Sequence, residues 1–207
     1  MNYRFYAFWL CGISIVVFLM QLVITGFTDY FLLNEMSFFE PWRFLTSIFL
    51  HGGFGHLLYN LFALALFGSI LEKLVGGRNF LLVFFSTGLI ANLFSINFYS
   101  SSLGASGAIF GVIGALIVVR PNLPIFAFGL PMPIFVAGIL WGLGDFLGAV
   151  AFIAGNPIDN TGNIAHLSGM ILGLIMGFFF RERTFNERRF SYRINEEDMR
   201  NWEDRYM

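Results

Sequence analysis

Apolar residues run along this chain in six long stretches, at 5–27, 56–75, 80–98, 105–119, 134–154 and 164–180, separated by shorter polar or turn-rich segments. A bilayer's hydrocarbon core is crossed by roughly 20 apolar residues in a helix, so each stretch predicts a membrane helix. The fourth is the shortest. At ~1.5 Å of rise per residue it covers only ~22 Å, which predicts that it starts below the membrane surface, with 99–104 dipping in to meet it. The chain reads as an all-α membrane protein, with six transmembrane helices in a domain at 1–180, a long first loop, and a charged tail at 181–207.

Composition agrees: 57% of the residues are hydrophobic and 12% charged, with a mean hydropathy of +0.73, far from the balance of a soluble domain. Charge adds an orientation. With six spans and both ends on one side, that side holds every one of the 12 Lys and Arg residues except Arg43. Asp29, Glu35, Glu40 and Asp159 fall opposite. The positive-inside rule therefore predicts cytoplasmic termini, and an odd number of spans would break the pattern. The tail carries seven arginines and seven acids; it reads as a solvated extension whose basic front end, 181–189, flanks the last span. The first apolar run is long and ends in no small-x-small cleavage site, so it reads as a retained helix rather than a signal peptide. With no transit or retention motif, a prokaryotic plasma membrane is the expected location. The single cysteine, Cys11, excludes a disulfide framework. No nucleotide loop, haem motif or paired-cysteine metal motif is visible, and neither a cofactor nor a nucleic-acid partner is expected.

Against this apolar background a few polar residues stand out, because they are costly at membrane depth. Ser106 falls in the first turn of the fourth helix, where backbone N–H groups lack intrahelical partners and the macrodipole favours negative charge. His56 and Asn60 are four apart and share one face of the second helix. If they face Ser106, the arrangement holds a nucleophile with backbone and side-chain donors, which acyl transfer requires. His166, early in the sixth helix, is the candidate base. Gly107, Gly111 and Gly114 form a stripe on the fourth helix, and Ala165, Gly169, Gly173 and Gly177 repeat every four on the sixth. Small residues at that spacing let backbones approach closely and would bring hydroxyl and imidazole together. This reads as a Ser–His dyad, with no third member evident from spacing.

Each element has a plainer explanation when taken singly. A serine in such a helix back-bonds to a carbonyl, glycines serve packing, and a buried histidine is a satisfied polar group. A metal reading fails on spacing: His51 and His56 are five apart across a glycine-rich turn, no carboxylate accompanies them, and His-Glu-x-x-His is absent. Asp145 lies inside the fifth helix, where an ionised carboxylate costs at least ~2.5 kcal/mol; spacing does not bring it to the site, and a structural or gating role is expected of it. The 155–163 connection is all turn chemistry and reads as an external cap leading into the His166 helix.

Five ordered segments resemble the rhomboid intramembrane serine proteases. Glu40-Pro41-Trp42-Arg43 resembles the family's first-loop Trp-Arg motif. His51 and His56-x-x-x-Asn60 resemble its second-helix histidines and asparagine. Gly68-x-x-x-Glu72-x-x-x-Gly76, Gly104-Ala105-Ser106-Gly107 and Ala165-His166-x-x-Gly169 match its glycine-glutamate-glycine, nucleophile and base motifs. The resemblance covers 40–177 and implies Ser106 as nucleophile, His166 as base and then acid, and the Ser106 N–H with His56 and Asn60 as the oxyanion site. It implies that Arg43 pins the first loop, that Phe110 supplies the ring packing on the base, and that the fifth helix and its following loop move to admit a substrate helix from the bilayer. Substrates would be membrane-anchored proteins. The competing readings are a non-proteolytic rhomboid-like module that binds membrane helices, and a small transporter or channel. The polar residues gather at one face and trace no path across, which disfavours the latter.

Overall fold

The computed structural model describes residues 4–158, 161–191 and 196–206, and the side chains of these apart from 182–199 and 202. Its principal helices, in chain order, are α1 (Tyr6–Val23), α2 (Phe54–Val75), α3 (Gly77–Ser95), α4 (Ser106–Val119), α5 (Ile134–Ile153), α6 (Asn163–Ser191) and α7 (Glu196–Tyr206). By length and composition α1, α2, α3, α5 and the Asn163–Arg181 part of α6 can cross a membrane. The 14-residue α4 is apolar but too short for that criterion. Outward-facing side chains such as Trp9, Val23, Tyr59, Phe62, Ile153 and Phe179, 68–83% exposed, are large and apolar, as a surface solvated by lipid requires.

Helix ends depart from the apolar runs where local chemistry overrides hydropathy. The first helix stops at Val23, short of 27, because Gly26 turns the chain at φ 78° and a separate short helix, Phe27–Phe31, follows. The third begins at Gly77 rather than 80: Gly76, at φ 85°, breaks the chain from α2, and the polar Asn79 donates to the Val75 carbonyl at 2.8 Å. Residues 64–68 of α2 form a widened π turn. The long first loop is folded, not irregular. It contains Phe27–Phe31, Arg43–Thr46, 3₁₀ turns at Glu35–Phe38 and Ser47–Phe49, and a strand pair joining Leu33–Asn34 to Ser101–Ser102. Arg43 holds it: its guanidinium donates to the carbonyls of Asp29 (2.7 Å) and Leu32 (3.0 Å) and pairs with Glu40. Trp42 stacks on Tyr30 with centroids 6.0 Å apart.

Between α4 and α5 lies a hairpin that the sequence reading lacked, Pro124–Ala127 against Leu130–Pro133. Its two central residues, Phe128 and Gly129, both take positive φ, the requirement of a type I′ turn. The helix α6 continues past 181 to Ser191 without a break; most side chains of the 181–207 tail lie outside the described residues.

The short α4 sits at the centre and is buried on all sides, which its uniformly apolar sequence permits. Its tightest neighbour is α6. A Cβ on Gly169 would overlap the Gly107 carbonyl oxygen, and one on Gly173 would overlap that of Gly111. A Cβ on Gly177 would press on the backbone of Ala115. The glycines of α4 divide their duties. Gly114 faces the Met170 carbonyl on α6, while Gly107 and Gly111 turn their hydrogens chiefly to Ala91 and Thr87 of α3 and offer their carbonyls to α6. The expected single stripe therefore serves two neighbours. On the far side Glu72, 1% exposed, accepts from the backbone N–H groups of Arg4, Tyr6 and Ala7 at 3.1–3.2 Å. A carboxylate on the orphan donors of a helix start fastens α1 to α2.

This packing predicts a contrast between two glycines. Gly173→Ala inserts a methyl against backbone that cannot yield and should destabilise by about 1–3 kcal/mol or more. Gly144→Ala, on α5 where a Cβ meets nothing within 4 Å, should be neutral. Thermal melts of the two variants in detergent check this.

Candidate active site

Three helices begin at the same end of the bundle and bring their N-termini together: α2 with His56, α4 with Ser106 and α6 with His166. Helix starts carry partial positive charge and unpaired N–H groups, so this end favours an anion. Ser106 is the first residue of α4. Its Oγ lies 2.8 Å from His166 Nε2. The Phe110 ring, one turn further on, stacks on the imidazole at 4.4 Å with the planes 5° apart, leaving it little freedom to rotate.

The other imidazole nitrogen is also engaged. Asp145 Oδ1 of α5 lies 3.0 Å from His166 Nδ1, and both side chains are about nine-tenths buried, at 12% and 10% exposure. A carboxylate only accepts, so Nδ1 carries the hydrogen and Nε2 presents its lone pair to the serine hydroxyl. Spacing did not bring Asp145 to the site; the fold does. Asp145 lies 21 residues from His166 in the chain, and no spacing rule could have paired them.

His56 approaches from the opposite wall. The Gly52 N–H donates to its Nδ1 at 3.3 Å, so the hydrogen resides on Nε2. That edge faces Gly104, where an added Cβ would stand 2.7 Å from Cε1 and 2.8 Å from Nε2, and where φ is +123°. Glycine at 104 is needed on both counts. The Gly104 N–H in turn donates to the Ser47 carbonyl at 2.9 Å, and Asn92 of α3 donates to Ser47 Oγ (3.0 Å) and to the Phe44 carbonyl (2.7 Å). The loop preceding Ser106 is thereby tied to the first loop. Asn60 is buried and donates one amide hydrogen to the His56 carbonyl at 2.8 Å, which leaves its second hydrogen for another acceptor.

His51 supports His56 from behind, the rings meeting edge to face at 5.2 Å. It donates from Nδ1 to the Phe49 carbonyl at 3.1 Å. Gln21 of α1 clamps its backbone from both sides, accepting from the His51 N–H at 2.9 Å and donating to its carbonyl at 3.1 Å. Gln21 was not singled out in the sequence, where one amide near the end of an apolar helix carries no spacing signal. Burial, with His56 alongside, pushes the His51 imidazole down to about 4.

At the start of α6 the Thr161 hydroxyl donates to Asn163 Oδ1 at 2.8 Å, and Tyr99 Oη accepts from the Ile164 N–H at 3.3 Å. Of the 155–163 connection read as a cap, residues 159 and 160 lie outside the described residues; Gly155 turns at φ 78°. Chemically, the assembly is a hydroxyl on an imidazole, the imidazole on a carboxylate, and N–H donors at a helix start facing a second imidazole's N–H edge.

A family model described as the Rhomboid domain matches residues 38–183. "Rhomboid protease GluP" of Bacillus subtilis (strain 168) is 39% identical over 142 residues, covering 68% of this chain and 25% of that protein. "Rhomboid protein 1, mitochondrial" of Saccharomyces cerevisiae is 31% identical over 170 residues, 77% of this chain and 47% of that one. "Rhomboid protease GlpG" of Haemophilus influenzae is 31% identical over 141 residues, 67% and 69% of the two. The chain spans between about a quarter and a half of the first two relatives' length. Bacterial and mitochondrial proteins both appear, so the relatives do not single out one kind of membrane.

The depressed His51 value yields a pH prediction. In the unfolded chain this imidazole takes a proton near 6.5, while in the folded protein it resists protonation down to about 4. Stability is therefore unaffected by His51 above 6.5 and falls as pH drops from there towards 4, because the unfolded state binds the extra proton. The difference in melting temperature between wild type and His51→Asn should favour wild type most at pH 7–8 and shrink towards pH 4; a difference that is flat with pH would mean that His51 does not titrate with unfolding.

Proposed function

The chain belongs to the rhomboid family, and on that premise we propose that it is an intramembrane serine endopeptidase that hydrolyses peptide bonds in or near the transmembrane segments of membrane-anchored proteins. The observation that carries this reading is the 2.8 Å contact between Ser106 Oγ and His166 Nε2 at the start of a buried helix. A serine hydroxyl is a weak nucleophile until a base takes its proton, and the contact supports His166 in that role.

In this reading Ser106 Oγ attacks the carbonyl carbon of the scissile bond. The Oγ–C bond forms as the carbonyl's π pair moves onto oxygen, and the hydroxyl proton passes to His166 Nε2. The oxyanion lies between the Ser106 N–H, the Nε2–H of His56 and the free amide hydrogen of Asn60, in the field of the converging helix starts. The C–N bond then breaks, and the leaving amine takes the proton from Nε2. Water, deprotonated by the same nitrogen, hydrolyses the acyl-enzyme. Phe110 and the α4–α6 seam keep the imidazole aligned throughout.

The short α4 serves as the sixth span, entered from below the surface, and both termini face the cytoplasm on the distribution of Lys and Arg. The Ser106 end then faces away from the cytoplasm. Partners are transmembrane substrates and the bilayer, and no cofactor is required.

A serine-reactive fluorophosphonate should label the purified, detergent-solubilised wild type and neither Ser106→Ala nor His166→Ala. Cleavage of a reconstituted membrane substrate should fall at least about 10³-fold in both variants while their melting curves persist. Asn60→Ala should be milder, near 10²-fold, because other donors remain. Turnover retained in Ser106→Ala would overturn the mechanism; client binding by an inert wild type, indifferent to Ser106→Ala, would instead make the chain a non-proteolytic member.

A further inference from the structure

Among the described residues two acids are buried, Glu72 and Asp145, and Asp145 is the one that touches the site yet has no task in the dyad mechanism. It is 8% exposed in the second half of α5. Its Oδ1 meets His166 Nδ1 at 3.0 Å, while its Oδ2 is buried with no hydrogen-bond partner among the described residues. The other buried charges behave differently: Glu72 accepts three backbone N–H groups, and Arg43 meets two carbonyls and Glu40. A charge kept for structure is saturated with partners, since an unsatisfied one costs several kcal/mol. Asp145 spends its single described side-chain contact on the imidazole that faces Ser106.

We propose that Asp145 is a positioning residue for His166, converting the serine–histidine pair of this chain into a three-membered relay. The proposal rests on the reading of Ser106 and His166 given above. The carboxylate holds the hydrogen on Nδ1, so that Nε2 is free to take the serine proton. It also stabilises the imidazolium that exists between attack and departure of the leaving group. It takes no proton itself: the proton that leaves Oγ stays on Nε2 until the leaving group carries it away. Geometry makes the arrangement specific. Phe110 fixes the ring plane from α4, Ser106 fixes Nε2, and Asp145 approaches from a third element, α5.

The charge environment gives the test its direction. The titratable groups facing His166 are Asp145 from α5, His56 across the site from α2, and Tyr99, whose Oη binds the Ile164 N–H in the preceding turn of α6; α4 contributes Ser106 and the uncharged Phe110. Asp145 is the only carboxyl among these, so replacing it removes both the acceptor of the Nδ1 hydrogen and the counter-charge of the imidazolium formed on attack.

The experiment follows the rate of fluorophosphonate labelling of the full chain in detergent against pH, a reaction in which the Ser106 Oγ–P bond forms, fluoride leaves and Nε2 receives the proton. Asp145→Asn preserves size and removes the charge. It should label roughly 10²–10⁴-fold more slowly at pH 7.5, and the acid limb of its pH profile should move away from that of wild type. Asp145→Ser, smaller and neutral, provides the same comparison should the asparagine variant fail to melt as a folded protein. A merely structural carboxylate would lower the melting temperature and leave the acid limb where it was, which overturns the proposal. Wild type that labels normally beside an indistinguishable Asp145→Asn removes Asp145 alone; wild type inert at every pH removes the serine–histidine reading and this inference with it.

Discussion

Everything at this site hangs on the backbone contact between α4 and α6. Lipid tails are as apolar as leucine, so helices in a bilayer are not driven together by hydrophobicity; they associate where small residues let backbones touch. Here Gly169 and Gly173 lie on the carbonyls of Gly107 and Gly111 with no space for a methyl. Ser106 is the residue before Gly107, and His166 precedes Gly169 by less than one turn. The 2.8 Å contact between them is thus a by-product of this backbone packing. Behind α4, Thr87 and Ala91 of α3 fill the hydrogens' side of the same glycines, so the seam cannot slide without opening a second interface.

Around this rigid seam the polar groups sort by how fully they are paired. Glu72 and Arg43 are buried and satisfied, the first on the start of α1 and the second on the carbonyls of the first loop. They tie the periphery to the centre. Asn92 and Ser47 carry the tie onward to Gly104, the residue against which His56 lies. The His56 wall is therefore positioned from the first loop, while Ser106 and His166 are positioned by the seam, and the two meet at the 104–106 turn. Gln21 extends the same logic to α1 by clamping the backbone of His51.

The spans, the serine and the histidines were readable from the sequence because each rests on a local signal: an apolar run of membrane length, or a polar residue flanked by glycines on such a run. What was unreadable depends on contacts between distant segments. The pairing of Asp145 with His166 is decided by the rotation of α5 about its axis, which apolar periodicity does not fix in a helix that is apolar all round. The two-sided use of Gly107 and Gly111 is invisible for the same reason, since spacing reports a stripe but not which neighbour fills it. The 124–133 hairpin was lost differently. Its Phe128-Gly129 turn is a weaker signal than Asn-Gly, and prolines are poor strand residues; Pro124 and Pro133 sit at strand ends where a missing N–H costs little, while Pro131 lies within the second strand opposite Phe126.

The placement of the three side chains on three helices has a mechanical consequence. Ser106 and His166 belong to elements locked together through glycine, but Asp145 belongs to α5, whose Leu143, Phe146, Leu147, Val150 and Ile153 face outward and are 49–68% exposed. Near the site α5 is held by few points: Asp145 on His166, Gly148 against the Asn163 side chain, and Phe152 on the Tyr99 ring at 4.8 Å. All three lie in its second half. Any displacement of that half away from α6 lengthens the carboxylate–imidazole contact first and leaves the serine–imidazole contact intact, because the latter is carried by the seam. With Asp145 withdrawn, Nδ1 loses its acceptor and the imidazolium its counter-charge. The partner of His166 Nδ1 is thereby tied to the position of α5, while the contact of Nε2 with Ser106 is not.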